Sequence, residues 1–190
     1  NMVDLALLAR LPNAAVLINA SRGEVIEENE LLAFLESRPD VFSILDVWIN
    51  EPDINLDLMS LATIATPHIA GYSRRAKTLA TKMLAESFNE LMWAGEGHFP
   101  NLDESTPVKL VLKNTILASV ETAVSFALPI EDWSVDFKRQ ITGSANQGGV
   151  FDNFRKTMIN RSEFSDFEIA VPQLNSQELT VLKNLGFKLS

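Results

Sequence analysis

Three side chains with chemistry to offer each follow a short apolar run. Arg22 comes just after residues 14–20 (AAVLINA), Glu51 after 42–48 (FSILDVW), and His68 after 62–66 (ATIAT). An arginine fork can hold a carboxylate by two parallel hydrogen bonds and polarise the carbonyl beside it. An imidazole titrates near neutrality and can take or return a hydroxyl proton. A carboxylate bonded to that imidazole fixes its orientation. Hydride transfer to a nicotinamide needs this set, because oxidising an alcohol removes a proton and a hydride together. The cofactor takes the hydride, and the protein must supply the base. Singly, each residue also has a plain reading: a surface charge, a Glu-Pro turn, a loop cap after Thr-Pro. Their joint placement after three successive runs favours the chemical one.

The runs must be strands for this to work. Each is short, nearly continuous and apolar, as in a parallel sheet buried on both faces. Between them, residues 27–37 repeat leucines and Phe34 at helical spacing, with acidic residues in the first turn. Residues 56–61 read as a short helix. Strand, helix, strand, short helix, strand is an α/β doubly wound pattern. Ligands bind such sheets outside the carboxyl ends of the strands, where Arg22, Glu51 and His68 all fall. A long amphipathic helix is expected over 73–94.

Residues 95–107 (GEGHFPNLDESTP) are rich in turn formers. The expected division is therefore 1–98, a linker at 99–107, and a small α+β domain at 108–190. In that domain strands are expected near 108–112, 167–171 and 186–189. Helices are expected over 115–128, 131–141, 151–161 and 176–185, with a loop at 143–149.

Composition excludes several classes. The 190 residues carry a formal net charge of −9, which gives no basic excess to displace phosphate counterions and so no non-specific nucleic-acid binding. There is no cysteine, so neither disulfides nor thiolate chemistry is available, and a cytoplasmic setting is compatible. No apolar run is long enough to span a membrane, and no metal-ligand cluster is expected.

Three blocks then become recognisable. LINASRGEVIEENEL (17–31), LDVWINEP (45–52) and TPHIAGYS (66–73) resemble, in order and spacing, the signature blocks of the D-isomer-specific 2-hydroxyacid dehydrogenases. The resemblance implies NAD as cofactor and casts Arg22, Glu51 and His68 as catalytic. It places Ala20, Ser21, Arg22, Asp46 and Gly71 along the cofactor, although Asp46 could equally cap a strand end. The HIAGY wording and the short Glu51-to-His68 spacing are similar to one branch of the family. That branch acts on a small phosphorylated hydroxy acid, uses a tyrosine at the position of Tyr72 on its substrate, and forms a homodimer. Residues 151–169 with the following helix and LGFKL resemble its C-terminal dimerisation domain. No G-x-G-x-x-G occurs in the chain. The expectation is thus of the C-terminal half of such an enzyme, inactive alone, with the 73–94 helix leaving an apolar face exposed. Another family member, or a dimerisation module without catalysis, remains open at this point.

Overall fold

The computed structural model describes residues 2–93, 108–110, 119–169 and 174–189. Along the chain run α1 (Leu5–Leu8), β1 (Val16–Asn19), α2 (Glu28–Ser37), β2 (Phe42–Leu45), α3 (Leu56–Leu61), β3 (Ile64–Ala65) and α4 (Arg74–Trp93). There follow β4 (Val108–Leu110), α5 (Val120–Ala127), α6 (Ile130–Thr142), α7 (Gln147–Thr157), β5 (Phe167–Ile169), α8 (Ser176–Leu185) and β6 (Lys188–Leu189). The chain forms two compact units, one of Asn1–Tyr72 with Ile130–Ile159, the other of Ser73–Pro129 with Asn160–Ser190.

In the first unit β1, β2 and β3 pair in that order, all parallel, with Val16 opposite Phe42 and Ile44 opposite Ile64. The helices between strands start where the sequence supplies caps. The Glu27 carboxylate accepts from Glu30 N at 2.7 Å, and Asn55 Oδ1 accepts from Asp57 N and Leu58 N at 3.0 and 3.1 Å. Leu31, Phe34 and Leu35 of α2 and Leu58 and Met59 of α3 are then buried with Leu45 in one core. The other sheet face differs from expectation. Val16, Ile18 and Phe42 are each more than half exposed. Although the 14–20 run is apolar throughout, β1 is an edge strand, and only one face of it is covered among the described residues.

The expected domain division also differs from the packing. The 108–190 division puts residues 130–159 in the C-terminal domain, but α6 and α7 belong to the first unit. Phe137 and Ile141 of α6 and Phe151 and Phe154 of α7 enter the same core as Leu45, with the Phe137 ring meeting those of Phe151 and Phe154 edge-on at 5.9 and 5.5 Å. Helix α6 also seals the β3 edge. Ser134 Oγ accepts from Ala65 N at 2.9 Å, and Lys138 Nζ donates to Ala62 O. Burial pushes the Lys138 ammonium below its ordinary pKa. Contiguity in sequence suggested one C-terminal domain; the large aromatic faces of α6 and α7 instead complete the first core.

A smaller difference lies at 143–149, expected as a loop. Helix α7 already begins at Gln147, because Asn146 Oδ1 accepts from Gly149 N at 3.0 Å and overrides the weak helix propensity of the glycine pair. The whole of the expected linker at 99–107, residues 115–118 of the expected helix, and the ends of the strands expected near 108–112 and 167–171 lie outside the described residues.

In the second unit β4, β5 and β6 form another parallel sheet, in that order. The expectation of an α+β domain is corrected here. Strand β5 returns to β6 through α8, and a helical crossover makes neighbouring strands parallel. Helix α8 starts with a reciprocal Asn175–Glu178 cap and stops at Gly186, whose φ of 104° suits glycine. Phe167, Ile169, Leu182 and Phe187 form the core with Ala123 and Ala127 of α5. Helix α4 buries none of its side chains, and Leu79, Met83, Phe88, Leu91 and Met92 are exposed, as its amphipathic pattern led one to expect. Among the described residues no helix is long and apolar enough to cross a membrane.

Glu28, in the first turn of α2, is held above its ordinary pKa. Burial is the main cause and the neighbouring Glu27 charge adds to it, while the Asn55 side-chain contact opposes both. Its Oε2 is buried without a hydrogen-bond partner. A carboxyl with a raised folded pKa stabilises the fold fully below its unfolded pKa and loses that contribution as pH rises through the folded value. Glu28→Gln should therefore raise the melting temperature at pH 7 and leave it nearly unchanged at pH 3. Calorimetry at both pH values checks this; equal shifts at the two would contradict it.

Candidate active site

The site is assembled at the carboxyl ends of β1, β2 and β3, within the first unit. Asn19, the last residue of β1, is buried. Its Oδ1 accepts from Ser21 N at 3.2 Å and Ser21 Oγ at 2.9 Å, and its Nδ2 donates to Arg22 O at 3.0 Å. One amide thus folds the Ser21–Arg22 turn. Glycine is required next to it. A β-carbon on Gly23 would stand 2.2 Å from the Trp48 carbonyl carbon and 2.5 Å from Ile49 N. Only a residue without a side chain lets the loop after β1 lie on the loop after β2, so Arg22 is brought beside the segment that carries Glu51.

The second loop begins with Asp46, buried in the sheet end. Its carboxylate accepts from Thr66 Oγ1 at 2.6 Å, Ile69 N at 2.8 Å and Ala70 N at 2.9 Å, while its own carbonyl accepts from His68 N at 2.7 Å. Asp46 is therefore the anchor of the loop after β3, and one carboxylate lone pair remains for a further donor. Trp48 Nε1 adds a bond to Thr66 O at 2.9 Å. Held this way, His68 adopts a φ of 53°, in the left-handed region. For a non-glycine residue that costs roughly 1–3 kcal/mol and persists only where surrounding bonds enforce it.

The imidazole and Glu51 meet. His68 Nδ1 lies 2.8 Å from Glu51 Oε2, with side chains 27% and 21% exposed. The other Glu51 oxygen accepts from Trp48 N at 2.9 Å. An ionised carboxylate can only accept, so Nδ1 carries the proton and Nε2 is left as the basic nitrogen. The pair is enclosed enough to be oriented and open enough to be reached.

The remaining expected residues are placed as follows. Arg22 is exposed, and its Nη1 donates to Ser21 O at 2.6 Å rather than to Glu51 or His68. Ala20 and Ser21 are exposed beside it. Gly71 is exposed as well, and a β-carbon there would meet nothing within 4 Å, so the protein's own packing does not demand the glycine. Tyr72 is half-buried, its N–H closing a turn to Ile69 O at 2.9 Å. The structure thus joins Glu51 with His68 and sets Arg22 on the adjoining loop. Sequence reasoning passed over Asn19 and Thr66; both are polar residues at the ends of apolar strands, which is the signal that could have found them.

Known proteins match this chain. Residues 1–70 match the family described as D-isomer specific 2-hydroxyacid dehydrogenase, NAD binding domain. The chain is 36% identical over 191 residues to the erythronate-4-phosphate dehydrogenase of Photorhabdus laumondii, covering 98% of this chain and 49% of that protein. The proteins of the same name from Pseudomonas entomophila and Pseudoalteromonas translucida are 33% and 36% identical, over 100% of this chain and 51% and 50% of theirs. The chain spans about half the length of the curated relatives it matches. The similarity runs through both units.

Gly23→Ala should force apart the two loops it joins. Overpacking of this kind costs about 1–3 kcal/mol. The expected result is a lower urea midpoint with unchanged slope, together with altered backbone amide shifts at Trp48 and Ile49. Wild-type stability in the variant would show that the close approach is not needed.

Proposed function

We infer that this chain carries the acid–base and carboxylate-binding rim of an NAD-dependent D-2-hydroxyacid dehydrogenase whose substrate is 4-phospho-D-erythronate, oxidised at its 2-hydroxyl to the 2-oxo acid in pyridoxal 5'-phosphate biosynthesis. The observation that carries this is the Glu51–His68 pair at the carboxyl edge of a parallel sheet, with Arg22 on the next loop. Likeness to erythronate-4-phosphate dehydrogenases over nearly the whole chain supports the substrate.

The residues present fit a nicotinamide at this edge. The Gly71 backbone borders open space, Ala20 and Ser21 are exposed, and Asp46 keeps one acceptor site. Bound there, NAD would accept the hydride from C2. Arg22 would swing from the Ser21 carbonyl to clamp the substrate carboxylate in a two-bond fork. His68 Nε2 would remove the 2-hydroxyl proton, and Glu51 would hold the resulting imidazolium in place through Nδ1. Tyr72 would touch the phosphorylated chain of the substrate. The enzyme works as a cytoplasmic homodimer in this reading, with 108–190 contributing to the dimer.

The pyrophosphate of NAD needs a glycine-rich turn at a helix N-terminus, and this sequence has no G-x-G-x-x-G. The 190-residue chain alone should show no turnover. A chimera in which it replaces the matching half of the Photorhabdus laumondii relative should reduce NAD with 4-phospho-D-erythronate. His68→Asn should lower its kcat about 10²–10⁴-fold. As a measurement independent of the chimera's folding, 4-phospho-D-erythronate added to the isotope-labelled chain should shift the signals of Arg22, His68 and Tyr72. An active His68→Asn chimera, or a titration that moves none of the three, would overturn the assignment.

A further inference from the structure

The geometry points to Arg155 as the positioning residue of the His68 loop, a role that rests on the dehydrogenase reading for its purpose but not for its geometry. Arg155 lies in the last turn of α7, in the same unit as the site. Its Nε donates to the His68 carbonyl at 3.0 Å, and its guanidinium stands 4.6 Å over the Tyr72 ring. One side chain, 87 residues along the chain from His68, therefore grips the main chain of the acid–base residue and a face of its neighbouring aromatic.

The need for such a grip is visible in the backbone. His68 has a φ of 53°, which a β-carbon disfavours, and its N–H is already tied to the Asp46 carbonyl at 2.7 Å. The peptide that follows is held at its N–H, because Ile69 N donates to the Asp46 carboxylate at 2.8 Å, and Arg155 holds it at its carbonyl. Fixing the His68 carbonyl from the other side leaves that peptide no second orientation. The imidazole is then presented to Glu51 in one rotamer. The cation over the Tyr72 ring extends the same constraint four residues on, where planar Arg is better suited than Lys. Arg155 holds the His68 main chain and the Tyr72 ring, so it acts through the loop as a positioning residue.

The signals needed to test this are few. Tyr72 is the sole tyrosine and His68 one of two histidines in the chain. In the labelled 190-residue protein, the Nδ1-bound proton of His68 should give a downfield resonance shielded from exchange by Glu51. Arg155→Met keeps the apolar stem but no donor or charge. It should abolish that resonance and shift the Tyr72 ring signals while far-ultraviolet circular dichroism stays unchanged. Arg155→Lys, which retains a donor and a charge, should restore the His68 resonance in part and serves as the second test should the methionine variant not fold. A merely structural role would lower the melting temperature and leave both signals in place, and that result would overturn the proposal. In the chimera, Arg155→Met should lower kcat on the order of 10- to 100-fold with KM little changed. A chimera already inactive with Arg155 intact would count against the substrate reading, and the two resonances would still decide the positioning role.

Discussion

Burying an ionised carboxylate is unfavourable unless hydrogen-bond donors replace the lost water, and at Asp46 three donors do so. All three come from the segment after β3: a hydroxyl from Thr66 and two successive backbone amides at Ile69 and Ala70. The requirement works in both directions. Asp46 needs that loop folded over it, and the loop needs Asp46 to satisfy amides that would otherwise be orphaned. His68 sits between the donors, so its unusual backbone angle is a consequence of satisfying Asp46 on both sides. The strain at the candidate base is thus offset by a buried charge beside it.

The parallel register is what brings this about. With Leu45 opposite Ala65 and Asn19 opposite Leu45, the three strands end level, and the next residues of each form one rim. Two small-residue devices then close the rim laterally. Gly23 admits the backbone at Trp48, and the Ser134 hydroxyl satisfies the β3 edge N–H at Ala65 from the buried face of α6. The second device depends on α6, which arrives from beyond the second unit's first strand. The site therefore draws on a stretch of chain well outside the three blocks that signal it.

That origin explains what could be read from the sequence and what could not. The strands, α2, α3 and α8 are marked by local patterns: apolar runs, cap residues such as Asn55 and Asn175, a terminal Gly186. Strand-end residues with chemistry were legible because topology puts strand ends together whatever the details. Asp46 was ambiguous, since a strand-end cap and a ligand contact use the same residue; its three protein donors show the cap role at least. The placement of α6 and α7 was not legible. Nothing local distinguishes a helix that packs against its own segment from one that returns to an earlier sheet. Phe137, Phe151 and Phe154 record only that some core awaited them. Arg155 was invisible for the same reason, because its partners are a carbonyl and a ring far along the chain.

In the proposed reaction Arg22 and His68 act on one ligand at this rim, although in the structure Arg22 turns to the Ser21 carbonyl. A crystal structure of the chimera with NADH and the 2-oxo acid product bound tests that most directly. The Arg22 guanidinium should then lie on the ligand carboxylate and His68 Nε2 within hydrogen-bond distance of the 2-oxo oxygen, with Nδ1 still on Glu51. A ligand seated elsewhere, or one that engages His68 while Arg22 stays on Ser21, would contradict it.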